Sequence, residues 1–265
     1  ISGIFYPQDR VKIVPGIRVD GFVLNKSFTV SPRLSMVYTL SPSIDLTAAF
    51  GIQNQDPDYL DLLSHPDNIS LKPKRATTAI IGFELFHDYL QTKFISEIFY
   101  KHYNNRAIAY DLTTPDTLDF SRKMLDIGKG RSWGIELFIQ KKLTQVFFYS
   151  LAYSFSRSEY LDIRPGFTNQ WYPADYDFGH AFTLTGGFKT ELHEKQWYSS
   201  LSKKLWFRLL SPIMPIADRM EFSTKFRFLG GRPRTAKRYD PQLSRWYHAS
   251  QVDLNSKRYE PYHRL

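Results

Sequence analysis

A two-residue period runs through this chain and constrains its fold more than any other feature. Residues 131–158 read RSWGIELFIQKKLTQVFFYSLAYSFSRS. In the second half of that stretch, one set of alternate residues is apolar and rich in aromatics: Phe147, Tyr149, Leu151, Tyr153 and Phe155. The other set is small or polar: Ser150, Ala152, Ser154 and Ser156. Alternation over this length predicts β-strands with one apolar face.

The same period recurs along most of the chain. It covers residues 11–22, 28–40, 44–53, 89–103, 178–189 and 219–228, and less cleanly 76–87. These strands would be about 10–13 residues long, whereas strands of soluble proteins cluster near 5–6. Short connections at 41–43, 88 and 142–145 alternate with long ones at 54–75, 104–130 and 157–176. Short turns on one side and long loops on the other are typical of an outer-membrane barrel.

We therefore predict an all-β, antiparallel transmembrane β-barrel, present as about 10–11 strands of a larger barrel. The apolar rows would face lipid, and the polar rows would face a wet or plugged interior. A closed barrel is expected because hydrocarbon cannot satisfy the hydrogen bonds of an open sheet edge. The chain contains no run of 18 apolar residues, so no transmembrane helix is predicted. A soluble β-sandwich is the alternative, since it also alternates apolar and polar residues.

The charge composition bears on the kind of partner. The 265 residues carry a formal net charge of +9 and include no cysteine. Without cysteine there is no disulfide framework and no thiolate metal site. Lys and Arg are spread along the chain, with concentrations at 195–208 and 232–245. This spread argues against a nucleic-acid partner and is compatible with anionic lipid headgroups.

The polar rows contain charges of both signs that the barrel would turn inward. The residues predicted to face the interior, and a plug if one is present, are Arg18, Asp20, Arg33, Lys93, Glu97, Glu136, Lys225 and Arg227. Opposite charges on neighbouring strands can pair with each other, and this is the alternative to contact with a plug.

Residues 191–218 interrupt the two-residue period. Near 196–210, Tyr198, Leu201, Leu205 and Leu209 recur at helical spacing, and lysines lie between them. The segment predicts one short helix in the membrane interface. Its predicted interfacial side chains are Trp197, Leu201, Leu205 and Trp206. An ordinary amphipathic helix packed on a soluble core is the alternative.

No enzyme constellation is present in the sequence. The seven histidines never occur at the i, i+2 or i, i+4 spacing of local metal pairs. The stretch GKGRSWG lacks the spacing of a nucleotide loop and enters a strand rather than a helix. A Ser–His–Asp site at His180 is disfavoured because His180 shares the apolar row, whereas the nearby serines lie on the polar row. We predict no catalysis, no metal and no cofactor.

Ligand binding would use the long loops and the upper interior. The candidate residues are Tyr59, His65, Tyr103, Tyr110, Trp171, Tyr172, Arg232 and Trp246. Aromatic residues and arginine are frequent in recognition surfaces. The alternative is that they pack loops or form an aromatic girdle at the membrane surface.

Five stretches together resemble a known family. They are SPRLSMVYTLSPSIDLTAAFG (31–51), LKPKRATTAIIGFEL (71–85), IGKGRSWGIELFIQKKL (127–143), WYPADYDFGHAFTLTGGF (171–188) and FRFLGGRPRT (226–235). In this order, over most of 11–265, they resemble the C-terminal part of the β-barrel of TonB-dependent outer-membrane receptors. The basic segment before FRFLGGRP is most similar to receptors of Bacteroidetes-type bacteria.

The resemblance implies import of a scarce nutrient across the bacterial outer membrane. The nutrient would be a siderophore, a corrinoid, an oligosaccharide or a peptide. The implied partners are outer-membrane lipid, lipopolysaccharide, the receptor's own plug domain and the TonB complex. We expect residues 1–265 to be the barrel portion, with the plug and the TonB contact in a missing N-terminal part. A passive porin or small structural barrel and a soluble glycan-binding β-sandwich are the alternatives.

Overall fold

Long antiparallel strands dominate the computed structural model of the chain. It describes residues 1–109, 123–142, 146–164, 166–167, 169–192, 195–210, 219–242, 244–247 and 253–265. The first strands are β1 (Phe5–Gln8), β2 (Val11–Phe22), β3 (Ser27–Ser41), β4 (Ile44–Gln55), β5 (Lys74–His87), β6 (Thr92–Ala109), β7 (Met124–Lys141) and β8 (Phe147–Asp162). They are followed by β9 (Gln170–Pro173), β10 (His180–Glu191), β11 (Arg219–Leu229), β12 (Pro233–Arg234), β13 (Arg238–Asp240), β14 (Arg245–Tyr247), β15 (Lys257–Arg258) and β16 (Tyr262–Arg264). The helices are α1 (Tyr59–Leu63), a 3-10 helix (Pro66–Ser70), α2 (Gln196–Ser202) and α3 (Leu205–Leu210).

Twelve of these strands form one sheet, in which every neighbouring pair is antiparallel. Its order is β1-β2-β3-β4-β5-β6-β7-β8-β10-β11-β16, and β9 adds to the end of β8. The chain therefore runs up and down between sequence neighbours, as outer-membrane barrels do. Over the residues that the structure describes, β1 and β16 remain as two free edges, so the sheet is part of a barrel. Three of the twelve strands, β1, β9 and β16, have only three or four residues, so nine long strands form most of the sheet.

The apolar rows of the long strands lie on the exposed surface of the sheet. Phe28 is 69% exposed, Ile81 70% and Phe222 58%. The buried hydrophobic residues of the described chain are Leu62, Leu71, Ala174 and Tyr198, all of which lie outside the strands. The aromatic rows thus pack against no second sheet, and the β-sandwich alternative does not describe this fold. We call the surface that carries these rows the outer face and the opposite surface the inner face.

Glycines on the inner face allow aromatic rings to lie flat against the sheet. A Cβ at Gly187 would lie 2.6 Å from the Cζ atom of Phe148, whose ring covers that position. At Gly134 a Cβ would lie 3.0 Å from the Cζ atom of Phe99. Glycine is needed at both positions because a Cβ would also collide with a backbone carbonyl oxygen of the neighbouring strand, that of Phe222 or of Phe155. These pairs help fix the register of β8 with β10 and of β6 with β7.

The connections follow the predicted asymmetry. The turns after β1, β3, β5 and β7 are short and lie at one end of the strands, called here the short-turn end. The long connections after β4, β6, β8 and β11 lie at the long-loop end. The connection from β10 to β11 is long but falls at the short-turn end, and there the predicted helix is divided into α2 and α3 at Lys203-Lys204. None of the helices that the structure describes has the length and apolar character to cross a membrane.

Candidate functional surfaces of the inner face

The strand register places all eight charged residues predicted to face inward on the inner face. In β2 and β3, Gly16 lies opposite Arg33, so Arg18, Asp20 and Arg33 share one face. The same face continues through Gly82 of β5 to Glu97 and Lys93 of β6. Glu136 of β7 lies opposite Glu97 and therefore on the same face. The registers of β8, β10 and β11 place Lys225 and Arg227 on this face as well.

Some of these charges pair locally on the inner face. The Arg18 guanidinium lies 2.9 Å from an Asp20 carboxylate oxygen and donates a hydrogen bond to it. Lys93 pairs with Glu84. Such exposed pairs contribute little to stability because water screens them. Their effect is to hold the direction of side chains that point into the interior.

Two carboxylates on the inner face lie next to each other without a cation. Glu97 of β6 and Glu136 of β7 are directly opposite in the register. Among the residues that the structure describes, no Lys or Arg lies within ion-pair distance of either carboxylate. Like charges directly opposite on neighbouring strands are destabilising. The pair is therefore a site where a cation from elsewhere would be favourable.

A cavity of about 770 Å³ opens on the inner face toward the long-loop end. Its lining includes six cationic residues: Arg18, Arg33, Lys74, Arg75, Arg106 and Arg131. No Asp or Glu lines it among the described residues. Strand alternation places Arg18, Arg33 and Lys74 on the inner face itself. Three of these cations are already paired with carboxylates outside the lining: Arg18 with Asp20, Lys74 with Asp58 and Arg131 with Glu159. Arg33 and Arg106 have no carboxylate partner among the described residues, so they are the cations that favour a negatively charged occupant.

A β-bulge aims one further arginine into this cavity. Tyr103 lies opposite Gly130, but the next inner-face pair is Arg106 with Gly128, so β6 contains an extra residue. Asn105 adopts φ 56°, a left-handed conformation that asparagine tolerates better than most residues. The Asn105 side-chain amide donates to the carbonyl of Pro73 at 3.2 Å, which anchors the bulge. The bulge thereby keeps Arg106 on the inner face instead of letting it alternate outward.

Tyrosines complete the wall of the cavity. The Arg106 guanidinium lies 3.2 Å from the centroid of the Tyr160 ring, and Tyr160 lies 6.0 Å from the Tyr172 ring. Tyr103 also lines the cavity, and its ring and that of Tyr160 both lie next to Gly130. Of these residues, sequence reasoning identified Tyr103 and Tyr172 and missed Arg106 and Tyr160. The available signal for Arg106 was the Asn-Asn pair before it, since such a pair inside a strand is typical of a bulge.

The other candidate binding residues lie apart from this cavity. Tyr59 is exposed on α1 and lies 5.6 Å from the Phe22 ring. The His65 ring nitrogen accepts the backbone N–H of Asp67 at the start of the 3-10 helix. Trp171 lies on the other face of β9 from Tyr172, with the Arg131 guanidinium 4.2 Å from its ring.

Two candidates belong to the last long loop. The Arg232 guanidinium donates to the carbonyl of Asp175 and lies 4.7 Å from the Tyr176 ring. Trp246 of β14 packs on Tyr239 of β13 at 5.3 Å. Tyr110 lies outside the described residues. Tyr103 and Tyr172 thus both lie next to Tyr160, whereas the remaining described candidates lie at separate sites.

A buried carboxylate ties two of the long loops together. Asp177 is 1% exposed and accepts hydrogen bonds from the backbone N–H of Ser158 and from the guanidinium groups of Arg157 and Arg258. Nearby, the Asn255 amide donates to the Pro173 carbonyl at 2.8 Å. The loop between β8 and β10 is therefore fastened to the loop between β11 and β16.

The loop from β4 to β5 is fastened to the beginning of β7. Asn68 is fully buried, and its side-chain oxygen accepts the backbone N–H of Met124 at 2.7 Å. The Lys123 ammonium donates to the Asp67 carboxylate at 2.8 Å and lowers the pKa of that carboxyl. Burial raises the pKa of Asp61 in the same loop. This loop therefore has a defined position over the long-loop end.

The segment at the short-turn end keeps its apolar side chains exposed. Trp197, Leu205 and Trp206 are exposed, whereas Leu201 is half-buried. Lys203 and Lys204 are exposed between the two helices. Amphipathic rings and lysines in this arrangement are typical of a segment lying at a membrane surface.

An exposed apolar outer face, a polar inner face and asymmetric connections define an outer-membrane β-barrel. The sequence profile described as "TonB dependent receptor-like, beta-barrel" matches residues 4–259, so the chain belongs to the family of TonB-dependent receptors. This family consists of outer-membrane receptors and transporters rather than enzymes. No curated protein matches the chain.

Solved structures of similar fold belong to outer-membrane iron receptors. The ferripyoverdine receptor of Pseudomonas aeruginosa bound to ferripyoverdine has 16% identity and a TM-score of 0.65, with 99% of this chain and 30% of that chain covered. The ferric-catecholate import receptor Fiu of E. coli K12 has 11% identity and a TM-score of 0.61, with 99% of this chain and 36% of that chain covered. The FrpB iron transporter of Neisseria meningitidis has 12% identity and a TM-score of 0.57, with 98% of this chain and 35% of that chain covered. The chain spans about a third of the length of these structures, and at these identities the similarity concerns the fold.

Proposed function

We propose that this chain is the barrel portion of a receptor that imports an anionic nutrient, with a ferric chelate as the leading ligand class. The observation that carries the proposal is the cavity in which Arg33 and Arg106 lie without a carboxylate partner among the described residues, beside Tyr103 and Tyr160. Proteins of similar fold are receptors for ferripyoverdine and ferric catecholates, which supports a ferric chelate over a neutral oligosaccharide.

The chemistry of the cavity suits a chelate with charged oxygen donors. Arginine guanidinium groups make strong hydrogen bonds to anionic oxygens, and such bonds are about twice as strong as neutral ones. The rings of Tyr103 and Tyr160 offer flat surfaces for aromatic groups of a chelate. Arg33 and Arg106 are the best-placed anchors because neither has a carboxylate partner among the described residues.

The inner face also supports a plug domain as the receptor's own partner. The uncompensated pair of Glu97 and Glu136 offers a place for a cation of the plug. In this proposal the long loops and the upper cavity capture the ligand. Energy delivered by the TonB complex through the plug then displaces the plug from the acidic pair and opens a path. The residues of the barrel act as fixed walls and anchors, and no covalent step is involved.

Binding measurements on variants of the cavity test the ligand class. Radiolabelled ferric pyoverdine, a ferric tris-catecholate and a neutral maltodextrin are offered to cells that carry the receptor. R33Q and R106Q are each expected to weaken binding of the anionic chelate by about tenfold, because each removes one charged hydrogen bond. The matched control is K225Q, which removes a cation from the same face outside the cavity.

Each result separates the proposal from its alternatives. Equal binding by R33Q, R106Q and wild type, or stronger binding of the neutral sugar than of either chelate, would overturn the anionic ligand class. Uptake that continues unchanged in cells without TonB would identify a passive barrel. Uptake that stops without TonB, while binding persists, supports an energy-coupled receptor.

A further inference from the structure

The outer face has a groove of about 570 Å³ near the short-turn end, across β7, β8, β10 and β11. We propose that this groove binds one anionic phospholipid of the inner leaflet of the outer membrane. The proposal is independent of the ligand in the inner-face cavity. It rests on a gap in the aromatic surface, on a cation beside that gap, and on the continuity of the groove with the lipid-facing rows.

The gap is made by one glycine on the outer face. Gly186 of β10 lies opposite Tyr149 of β8 and opposite Thr224 of β11. Phe188, two residues further along β10, lies opposite Phe147 and Phe222, and its ring is 5.9 Å from that of Phe222. A ridge of aromatic side chains thus borders a position without a side chain.

Packing does not require glycine at this position. A Cβ at Gly186 would have as its nearest neighbours the Phe148 carbonyl oxygen at 3.7 Å and the Tyr149 Cβ at 3.8 Å, both ordinary contacts. The adjacent Gly187 differs, since its Cβ would meet the Phe148 ring at 2.6 Å. Gly186 therefore leaves an open position in an apolar surface, against which an acyl chain can lie.

A lysine stands at the edge of the groove. Lys141 ends β7 and lies opposite Tyr149, so Lys141, Tyr149 and Gly186 follow one another across three strands. Adjacent strands are about 4.8 Å apart, so Lys141 lies roughly 10 Å from Gly186, which is within the reach of one lipid molecule. The Lys141 ammonium donates to the Leu90 carbonyl at 2.9 Å, and an ammonium has two further donors for a phosphate.

The position of the groove at the short-turn end favours a lipid of the inner leaflet. Short turns lie on the periplasmic side of outer-membrane barrels, and the groove is at the short-turn end. The connection between β10 and β11, the two strands that form one side of the groove, contains the exposed Trp197, Trp206 and Lys203. Aromatic rings and lysines of this kind lie at the level of lipid headgroups. An anionic phospholipid fits this setting because its phosphate can meet Lys141 while an acyl chain lies over Gly186.

Native mass spectrometry of the full-length receptor tests the site. The receptor is purified in a mild detergent and titrated with palmitoyl-oleoyl phosphatidylglycerol or with the phosphatidylethanolamine of the same chains. Wild type is expected to retain one phosphatidylglycerol saturably. G186L fills the groove and is expected to bind it about tenfold more weakly, because acyl methylenes lose their contact surface. K141Q is expected to weaken binding of phosphatidylglycerol more than binding of phosphatidylethanolamine, because the ammonium of phosphatidylethanolamine already offsets the charge of its phosphate. The preference for phosphatidylglycerol is therefore expected to be lost.

The matched control is A79L, which enlarges a small, exposed residue elsewhere on the outer face, opposite Phe50 and Tyr100. It is expected to bind like wild type. The proposal is overturned if G186L binds as tightly as wild type, if A79L weakens binding equally, or if lipid A occupies the site in place of phospholipid. If G186L fails to insert, as judged by heat-modifiable gel mobility, G186A replaces it. A several-fold weakening by G186A, whose added Cβ has room, supports the site, and unchanged binding overturns it.

Discussion

Glu97 and Glu136 lie directly opposite each other on the inner face, on the adjacent strands β6 and β7. The pairing extends over most of both strands, so neither carboxylate can move away without breaking the register. Two carboxylates in this arrangement cost stability in an empty barrel. The arrangement becomes favourable only when a positive charge lies between the two carboxylates. The proposed plug inside the barrel could supply that charge.

We expect E97Q, E136Q and the double variant to loosen the proposed plug. Each substitution would remove one charged hydrogen bond to a cation of that plug, so the displaced state of the plug should become about tenfold more populated. Single-channel conductance of the purified receptor in planar bilayers measures this as more frequent open events. Sensitivity of cells to a large antibiotic such as vancomycin measures it in vivo.

The control for this prediction is E84Q. Glu84 lies on the same inner face but already pairs with Lys93, so its removal should leave conductance unchanged. A contrary outcome is also informative. If the barrel contains no cation at this position, E97Q will relieve repulsion, raise the thermal stability of the receptor and leave conductance at the wild-type level.

The buried carboxylate of Asp177 predicts strong coupling of two long loops. D177N leaves the guanidinium groups of Arg157 and Arg258 without their charged partner. Because both guanidinium groups are partly exposed to water, the expected cost is that of a charged hydrogen bond, about 1.5–3 kcal/mol. We expect the loops after β8 and β11 to become sensitive to added protease, while the barrel stays intact on gels. Limited proteolysis of receptor-bearing cells, read by mass spectrometry, measures this.

Asp253 provides a matched control for that measurement. It is an exposed carboxylate in the loop between β11 and β16, close in sequence to Asn255 and Arg258. D253N should leave protease resistance unchanged. Equal resistance of D177N and wild type would show that Asp177 does not hold the loops together.

The pair of Asp67 and Lys123 predicts a pH dependence of the loop between β4 and β5. Lys123 lowers the pKa of Asp67 in the folded loop relative to the unfolded chain. The stabilising effect is therefore present above the ordinary aspartate pKa of about 4 and is lost as the pH falls through the lower folded value. The protection factors of the loop amides, which correct for the slower intrinsic exchange at low pH, should decrease over that window. K123Q should abolish the pH dependence, and an unchanged profile in K123Q would disprove the role of this pair.

The sequence predicted the faces of the sheet better than its binding cavity. Alternation is a property of single strands, and the inward position of Arg33 or Glu97 follows from parity once the apolar rows are assigned to lipid. The inward position of Arg106 does not follow, because the bulge at Asn105 adds one residue to β6 and so reverses which alternate residues face inward. Tyr160 was missed for a related reason, since the partner that makes it part of the cavity lies on another strand.

The contacts between loops could not be predicted from the sequence either. The stretch PADYDF was recognised, yet the role of Asp177 depends on Arg258, which lies 81 residues away. The two helices at Lys203-Lys204 replaced a predicted single helix because Lys203 ends the first helix as its C-cap. Periodicity identifies an amphipathic segment but does not locate a break within it.

Two neighbouring isoleucines offer a direct test of which face meets lipid. Ile81 lies on the outer face and is 70% exposed, whereas Ile80 lies on the inner face of the same strand, opposite Ala49 and Phe99. An arginine on the lipid face near the middle of the membrane costs about 2–4 kcal/mol, but an inner-face arginine can reach water or polar groups. I81R should lower the yield of heat-modifiable receptor and its midpoint in urea titrations, and I80R should change both much less. The two variants have the same chemistry at nearly the same depth, so the difference between them isolates the environment. A larger loss in I80R than in I81R would mean that the sheet turns its aromatic rows toward the interior.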